Sequence, residues 1–414
     1  MQEAQGDVQA VRLGDGRVLA VGLSRGGQTV AELWDPATSA WRTTEPPNKK
    51  RTDFALVPLI DGRALMTGGQ DADGRSFSSA YVFDSVTEHW SKVGLMHDAR
   101  TNPVAAVLAD GRVLVAGGRY ATGWNDYGHA AGNVLAGFHD ARDREVGLEG
   151  PVHADADPGP AGRAIATAEL FDPQSGTWSK TGAMHYPRVE AQDLFGAAAV
   201  TLGDGRVLVF GGDVIGEEEG SAVIELYDPA RGRFSAGPAL PQVDPTTIDE
   251  LGISQTYVPE NQNDGVALVP LADGDALVVG TRSRGFPAEV TRNVRFDAKR
   301  DAWVDVGKPF VREYDDQGNV LRTFGDDHPG GFAAMLGDGR VLVAGGWSRP
   351  GLAELLDPHR GTWSTLAEMP VGRDVAEAVK LDDGSVLVIG GHRVGEGMEP
   401  MRYLNDALQL VPDR

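Results

Sequence analysis

A short cassette recurs seven times along the 414 residues: an apolar strand, an Asp-Gly turn, and a second apolar strand that mostly ends in Gly-Gly. A segment of the form Leu-x-Asp-Pro, leading to an aromatic residue, often follows. The clearest copy runs from Leu202 to Gly212 and resumes from Ile224 to Phe234, and the seven turns start at Asp15, Asp61, Asp110, Asp204, Asp273, Asp338 and Asp383. Each apolar run is short, rich in Val and Leu and bounded by Gly or Asp, which is the pattern of a buried strand. A four-stranded unit built this way has two apolar faces and cannot cover either alone. Radial stacking covers both, so the repeat predicts an all-β fold: a seven-bladed β-propeller of four-stranded antiparallel blades, one domain spanning residues 1–414.

The second half of each cassette carries the third strand and the turn into the fourth, as in Ala31 to Trp41, Ala80 to Trp90, Ala168 to Trp178, Asn293 to Trp303 and Ala353 to Trp363. The Asp-Pro step favours a turn, because Pro presets its φ and the Asp side chain accepts from nearby backbone amides. The aromatic residue that follows is expected to wedge between blades. Blade 7 departs from the pattern, since its third strand is followed by neither Trp nor a fourth strand. Residues 1–7 pairing with that blade, a three-stranded blade and a trimmed chain all remain open.

A formal charge of −22 disfavours nucleic acid and anionic membranes, which need clustered Lys and Arg, and favours cationic partners or divalent metals. No run of eighteen apolar residues and no intact signal peptide is visible, so the sequence as it stands reads as cytoplasmic, or as secreted if a leader has been removed. There is no cysteine, which removes disulfide and thiol chemistry. Arg in excess of Lys, with abundant Ala and Gly, fits a GC-rich bacterial source.

The insertions carry the main functional signal. In an antiparallel blade the first-to-second and third-to-fourth connections share one face of the ring, and the other connections share the opposite face. Here the former are all short, so the long segments emerge on one face: 119–163 in blade 3, 185–195, 213–221, 238–263, and 304–330 before blade 6. Loops of this length are usually functional or disordered. The stretch from Val311 to Phe324 alternates around a central turn and is expected to form a hairpin. Seven of the nine histidines map to this face.

The residues just before each innermost strand should line the central mouth: Asp53, Asn102, Glu190, Asp193, Asn261, Asp264, Asp326, Asp327 and His328. A carboxylate-rich rim with an imidazole suits a divalent metal, with His328, Asp326, Glu190, Asp193 and Asp264 as candidate ligands, or acid–base work by His328 and Asp327. It is equally the solvated rim of an acidic protein. Glu377 is anomalous, because it stands where other blades carry Ala55, Val104, Ala198, Ala267 and Phe332, and a charge there must face the channel or find a partner. It is a third catalytic candidate. In the blade 3 insertion, Trp124 and Tyr127 beside Asn and Asp side chains could stack on a sugar or pack the loop against itself.

With its diglycines (Gly68-Gly69, Gly117-Gly118, Gly211-Gly212, Gly345-Gly346, Gly390-Gly391) and downstream aromatics, the chain resembles the kelch-repeat propellers over nearly its whole length. Arg51, Arg100 and Arg373, each ten residues before a turn aspartate, and Arg188, could clamp a substrate carboxylate. The resemblance implies instead that they tie the blades together. Copper oxidases of this architecture need a Tyr crosslinked to Cys, which this chain cannot make. Sialic-acid epimerases, which are similar, work on sugars at the loop face. Three functions stay open at this point. The first is a small-molecule enzyme of isomerase, lyase or hydrolase type, metal-dependent or not. The second is a carbohydrate- or peptide-binding module, and the third a protein-interaction propeller.

Overall fold

The computed structural model describes residues 1, 6–24, 26–47, 50–121, 163–189, 197–214, 224–241, 260–261, 267–284, 288–307, 310–314, 320–324, 328, 330–346, 349–393 and 402–411. The chain forms a seven-bladed β-propeller. The innermost strands are Gly6–Arg12, Thr52–Pro58, Val104–Val107, Ala198–Thr201, Ala267–Pro270, Gly331–Met335 and Glu377–Lys380. Each touches the next in that order and the last touches the first, so the ring is closed.

Within a blade the strands meander antiparallel. In blade 1, Gly6–Arg12 pairs with Val18–Leu23, which pairs with Thr29–Asp35, which pairs with Ala40–Thr44. The first turn is held by its aspartate: Asp61, for example, accepts from the Arg63 backbone N at 3.2 Å and from Arg63 Nε at 3.0 Å. The Asp-Pro turn works in the same way, with Asp172 Oδ1 accepting from the Gln174 amide at 2.9 Å.

Blade faces bury against each other. Val11, Leu13, Leu19 and Val21 of blade 1 meet Phe54, Leu56, Met66 and Phe83 of blade 2 in one buried cluster. Each such side chain contributes about 1.5–3 kcal/mol through its burial. The aromatic of the fourth strand faces that of the third, with ring centroids 5.0 Å apart for both Phe171–Trp178 and Phe296–Trp303. Trp178 Nε1 donates to Gly94 O and Trp303 Nε1 to Pro238 O, each in the connection that follows the preceding blade. These indoles are half-buried wedges between blades.

A second tie runs along the short-turn face. The turn arginine of one blade donates to a carbonyl in the third-to-fourth strand turn of the next: Arg17 to Ser85 O, Arg63 to Pro173 O at 2.9 Å, and Arg206 to Ala298 O at 2.9 Å. Arg112 stays on its own Asp110, and an open cavity of about 530 Å³ lies between blades 3 and 4 there.

Blade 7 contributes three described strands, Glu377–Lys380, Val386–Ile389 and Ala407–Leu410. It joins blade 1 through a buried cluster in which Val379, Leu381, Leu387 and Ile389 meet Val18, Ala20 and Trp34. The expected hairpin is present, as Phe310–Tyr314 pairs with Val320–Phe324 and adds to the outer part of the blade 5 sheet through Ala288–Asp297.

Candidate functional site at the loop-side mouth

The second strand ends, and the third begins, at the same end of the blade where the innermost strand starts. Short ladders prolong the blades on that side: Arg119–Tyr120 with Arg163–Ala164, Arg188–Val189 with Asp213–Val214, and His392–Arg393 with Arg402–Tyr403. The long insertions continue from these ladders.

The arginines lie beneath this surface. Arg51, Arg100, Arg188 and Arg373 are at most 1% exposed, and each donates to the carbonyl of the first glycine of its blade's diglycine: Gly68, Gly117, Gly211 and Gly390. Arg100 also pairs with Glu169 at 3.0 Å, Arg188 with Glu225 at 3.1 Å and Arg373 with Asp406 at 3.1 Å. His97 and His185 close the same carboxylates from the other side, at 2.8 and 2.9 Å. Among the described residues Arg51 has no carboxylate in this role. It stacks over Phe77 and Tyr81, and burial pulls its guanidinium down to about 10. These four side chains, expected as substrate ligands, are thus placed inside the blades, where their terminal nitrogens bond backbone and side-chain oxygens and each Nε is buried without a hydrogen-bond partner.

His328 takes the same place in blade 6. It stands ten residues before Asp338, the register of the arginines. Its Nδ1 faces Gly345 O at 2.9 Å and its Nε2 faces Glu354 Oε2 at 3.2 Å, the counterparts of the Arg100 contacts with Gly117 and Glu169. At 5% exposure, with an oxygen facing each ring nitrogen, it occupies the clamp position of blade 6 and not the open rim.

Two residues past the clamps of blades 2, 3, 6 and 7 the chain reaches the mouth. Asp53, Asn102 and Val375 are left-handed, with φ of 56°, 50° and 46°, and blade 6 has Gly330 there at 72°. This geometry lets neighbouring blades clasp: Asn102 N donates to Asp53 O at 2.7 Å, and Val375 N to Gly330 O at 2.7 Å. Asp53 and Asn102, expected at the rim, are thus brought together in adjacent blades. Asp53 Oδ2 accepts from Thr52 Oγ1 at 2.6 Å and from Gln70 Nε2 at 2.8 Å. Left-handed non-glycine residues store about 1–3 kcal/mol each and cluster where function requires them. Val375, being β-branched, is the most strained of the three.

Glu377 follows on the innermost strand of blade 7, paired in register with Ile389. Its counterpart in blade 1, Gln9, reaches across to blade 2, accepting from Leu56 N at 2.8 Å and donating to Phe54 O at 2.5 Å. No described residue hydrogen-bonds or ion-pairs with Glu377. The residue is partly exposed, and desolvation pushes its carboxyl up to about 7. The repeat register had singled this position out.

Asn261 lies on a short strand whose backbone pairs with Ser283. Asp326, Asp327, Glu190, Asp193, Asp264, Trp124 and Tyr127 lie outside the described residues. Among the described residues no three His, Asp or Glu side chains gather as a metal-binding group. The pair missed in the sequence is Asp374 with His392, which adjoins Val375 at the blade 7 rim.

No protein-family model matches the chain, and no curated protein matches it. Among solved structures it is similar to a fungal alcohol oxidase of the AA5 family in complex with copper, with a TM-score of 0.57 and 15% identity over 94% of this chain and 71% of that one. At that identity the likeness shows the propeller fold alone.

Proposed function

We propose that this chain is a kelch-type propeller enzyme of isomerase, lyase or hydrolase type, performing acid–base chemistry on a small polar molecule at the loop-side mouth. The observation that carries this reading is Glu377: a carboxyl on the innermost strand, without a partner among the described residues, held at about 7 by burial. Such a group is half protonated at neutral pH and can both give and take a proton, as a general acid–base catalyst must. The clasped, left-handed rim beside it supports the reading, as does the crowding of long insertions in the sequence into the connections of that face. A divalent cation enters the proposal only through Glu190, Asp193, Asp264 and Asp326, because His328 occupies the clamp position of blade 6.

The test is a solvent-deuterium wash-in assay. Wild type and Glu377→Gln are incubated in D2O with sugars, sugar acids, lactones and hydroxy acids, and products are followed by NMR. Conversion or exchange by wild type that falls at least 100-fold in Glu377→Gln is expected. Saturable binding of a panel member with no conversion would replace the enzyme by a binding module.

A further inference from the structure

The start of the blade 7 inner segment holds a second group of ionisable side chains. Asp374 and His392 exchange backbone hydrogen bonds as an isolated antiparallel bridge, at 3.0 and 2.9 Å. The equivalent bridges in blades 2 and 3 are Thr52 with Gln70 in the ladder and Thr101 with Arg119. The backbone join therefore needs no acid at this position, and blades 2 and 3 use threonine.

Asp374 is 1% exposed, yet its Oδ1 accepts no hydrogen bond. A buried carboxylate left in that state is costly unless a charge or a strong donor answers it. The nearest answer is His392, whose Nδ1 lies 3.5 Å from that oxygen. The imidazole also meets the Tyr403 ring edge-to-face, with centroids 4.7 Å apart, and remains 18% exposed. A short closure of the Nδ1 to Oδ1 gap would complete the hydrogen bond, and gaps of this kind commonly tighten when a ligand binds. The strained Val375 follows Asp374 directly.

We infer that Asp374 and His392 form a carboxylate–imidazole dyad in which His392 Nε2 is the proton-transferring base for a substrate O–H or C–H. Asp374 is the positioning residue. It accepts from Nδ1–H, fixes the tautomer that leaves Nε2 bare, and faces the positive charge while the ring carries the substrate proton. The proton then returns from Nε2 to the product, or passes to water. This assignment rests on the mouth being the reactive site, and it adds a base to the acid supplied by Glu377.

The test reads the dyad without a substrate. In the full chain with 15N-labelled histidine, the ring resonances of His392 are identified by their loss in His392→Gln. The expected result is the Nδ1–H tautomer in wild type and a switch to Nε2–H in Asp374→Asn, whose amide can donate to Nδ1. Asp374→Thr, the residue type of blades 2 and 3, preserves the bridge should the Asn variant fold poorly. Diethyl pyrocarbonate should then modify His392 in wild type at least fivefold faster than in Asp374→Thr. An Nε2–H tautomer in wild type, or equal modification rates, overturns the dyad. A confirmed tautomer in a protein without wash-in activity would retain the dyad and remove the enzyme reading, so the two failures are distinguishable.

Discussion

At the scale of single residues, the same fold position carries different chemistry in different blades. The position six residues before the turn aspartate is Ala55, Val104 or Phe332 in blades 2, 3 and 6, where it packs, and Gln9 in blade 1, where it spans to blade 2. Glu377 fits neither use. Its raised carboxyl has a thermodynamic consequence with a definite sign. Between the ordinary value of 4.5 and about 7, the folded state holds a proton that the unfolded state has released, so stability falls as pH rises through this window. Replacing Glu377 with Gln is expected to leave stability unchanged near pH 4 and to raise it at pH 8, by at most ~3 kcal/mol and by less where channel water screens the charge. Urea denaturation of both proteins at the two pH values checks this. A wild-type curve that rises with pH across the window would remove the buried-acid reading.

At the scale of the element, the clamp is the unit that repeats: an Arg or His ten residues before the turn aspartate in blades 2, 3, 6 and 7 and sixteen before it in blade 4, a glycine carbonyl, and in blades 3, 4 and 6 a carboxylate on the third strand. The fold was legible in the sequence because strand, turn and diglycine recur with fixed spacing. The clamp was only half legible. His328 sits in the register of Arg51 relative to Asp61, but a single imidazole among carboxylates reads as chemistry until its two hydrogen-bond partners are seen. The Asp374–His392 pair was harder still. Its spacing of eighteen residues matches Thr52 to Gln70 and Thr101 to Arg119, yet a bridge between unlike residue types leaves no pattern to count. Because the clamp is structural, His328→Arg should be tolerated, with a stability change within about 1 kcal/mol. Arg100→Met, which strands the buried Glu169, should cost about 3–5 kcal/mol. Thermal and chemical denaturation of the two variants distinguishes a clamp from a catalytic base.

For the whole molecule, the clamp and short-turn arginines are tied up within and between blades, while an acidic balance remains. The clamp arginines lie beneath the rim, and the turn arginines are tied along the short-turn face, where Arg17, Arg63 and Arg206 each bridge to the next blade. The chain as a whole carries −22. At the loop-side mouth stand Asp53, Asp374 and Glu377, two of them on the inner segment of blade 7. The short-turn face offers the competing location, the open cavity between blades 3 and 4 where Arg112 does not cross. The most direct measurement is a crystallographic soak of the full chain with small polar fragments, comprising sugars, hydroxy acids and amines, which records where they settle. The account predicts fragments at the loop-side mouth within hydrogen-bonding reach of Glu377 or His392, and their loss in crystals of Glu377→Gln. Fragments confined to the cavity between blades 3 and 4, with the mouth empty, would contradict it.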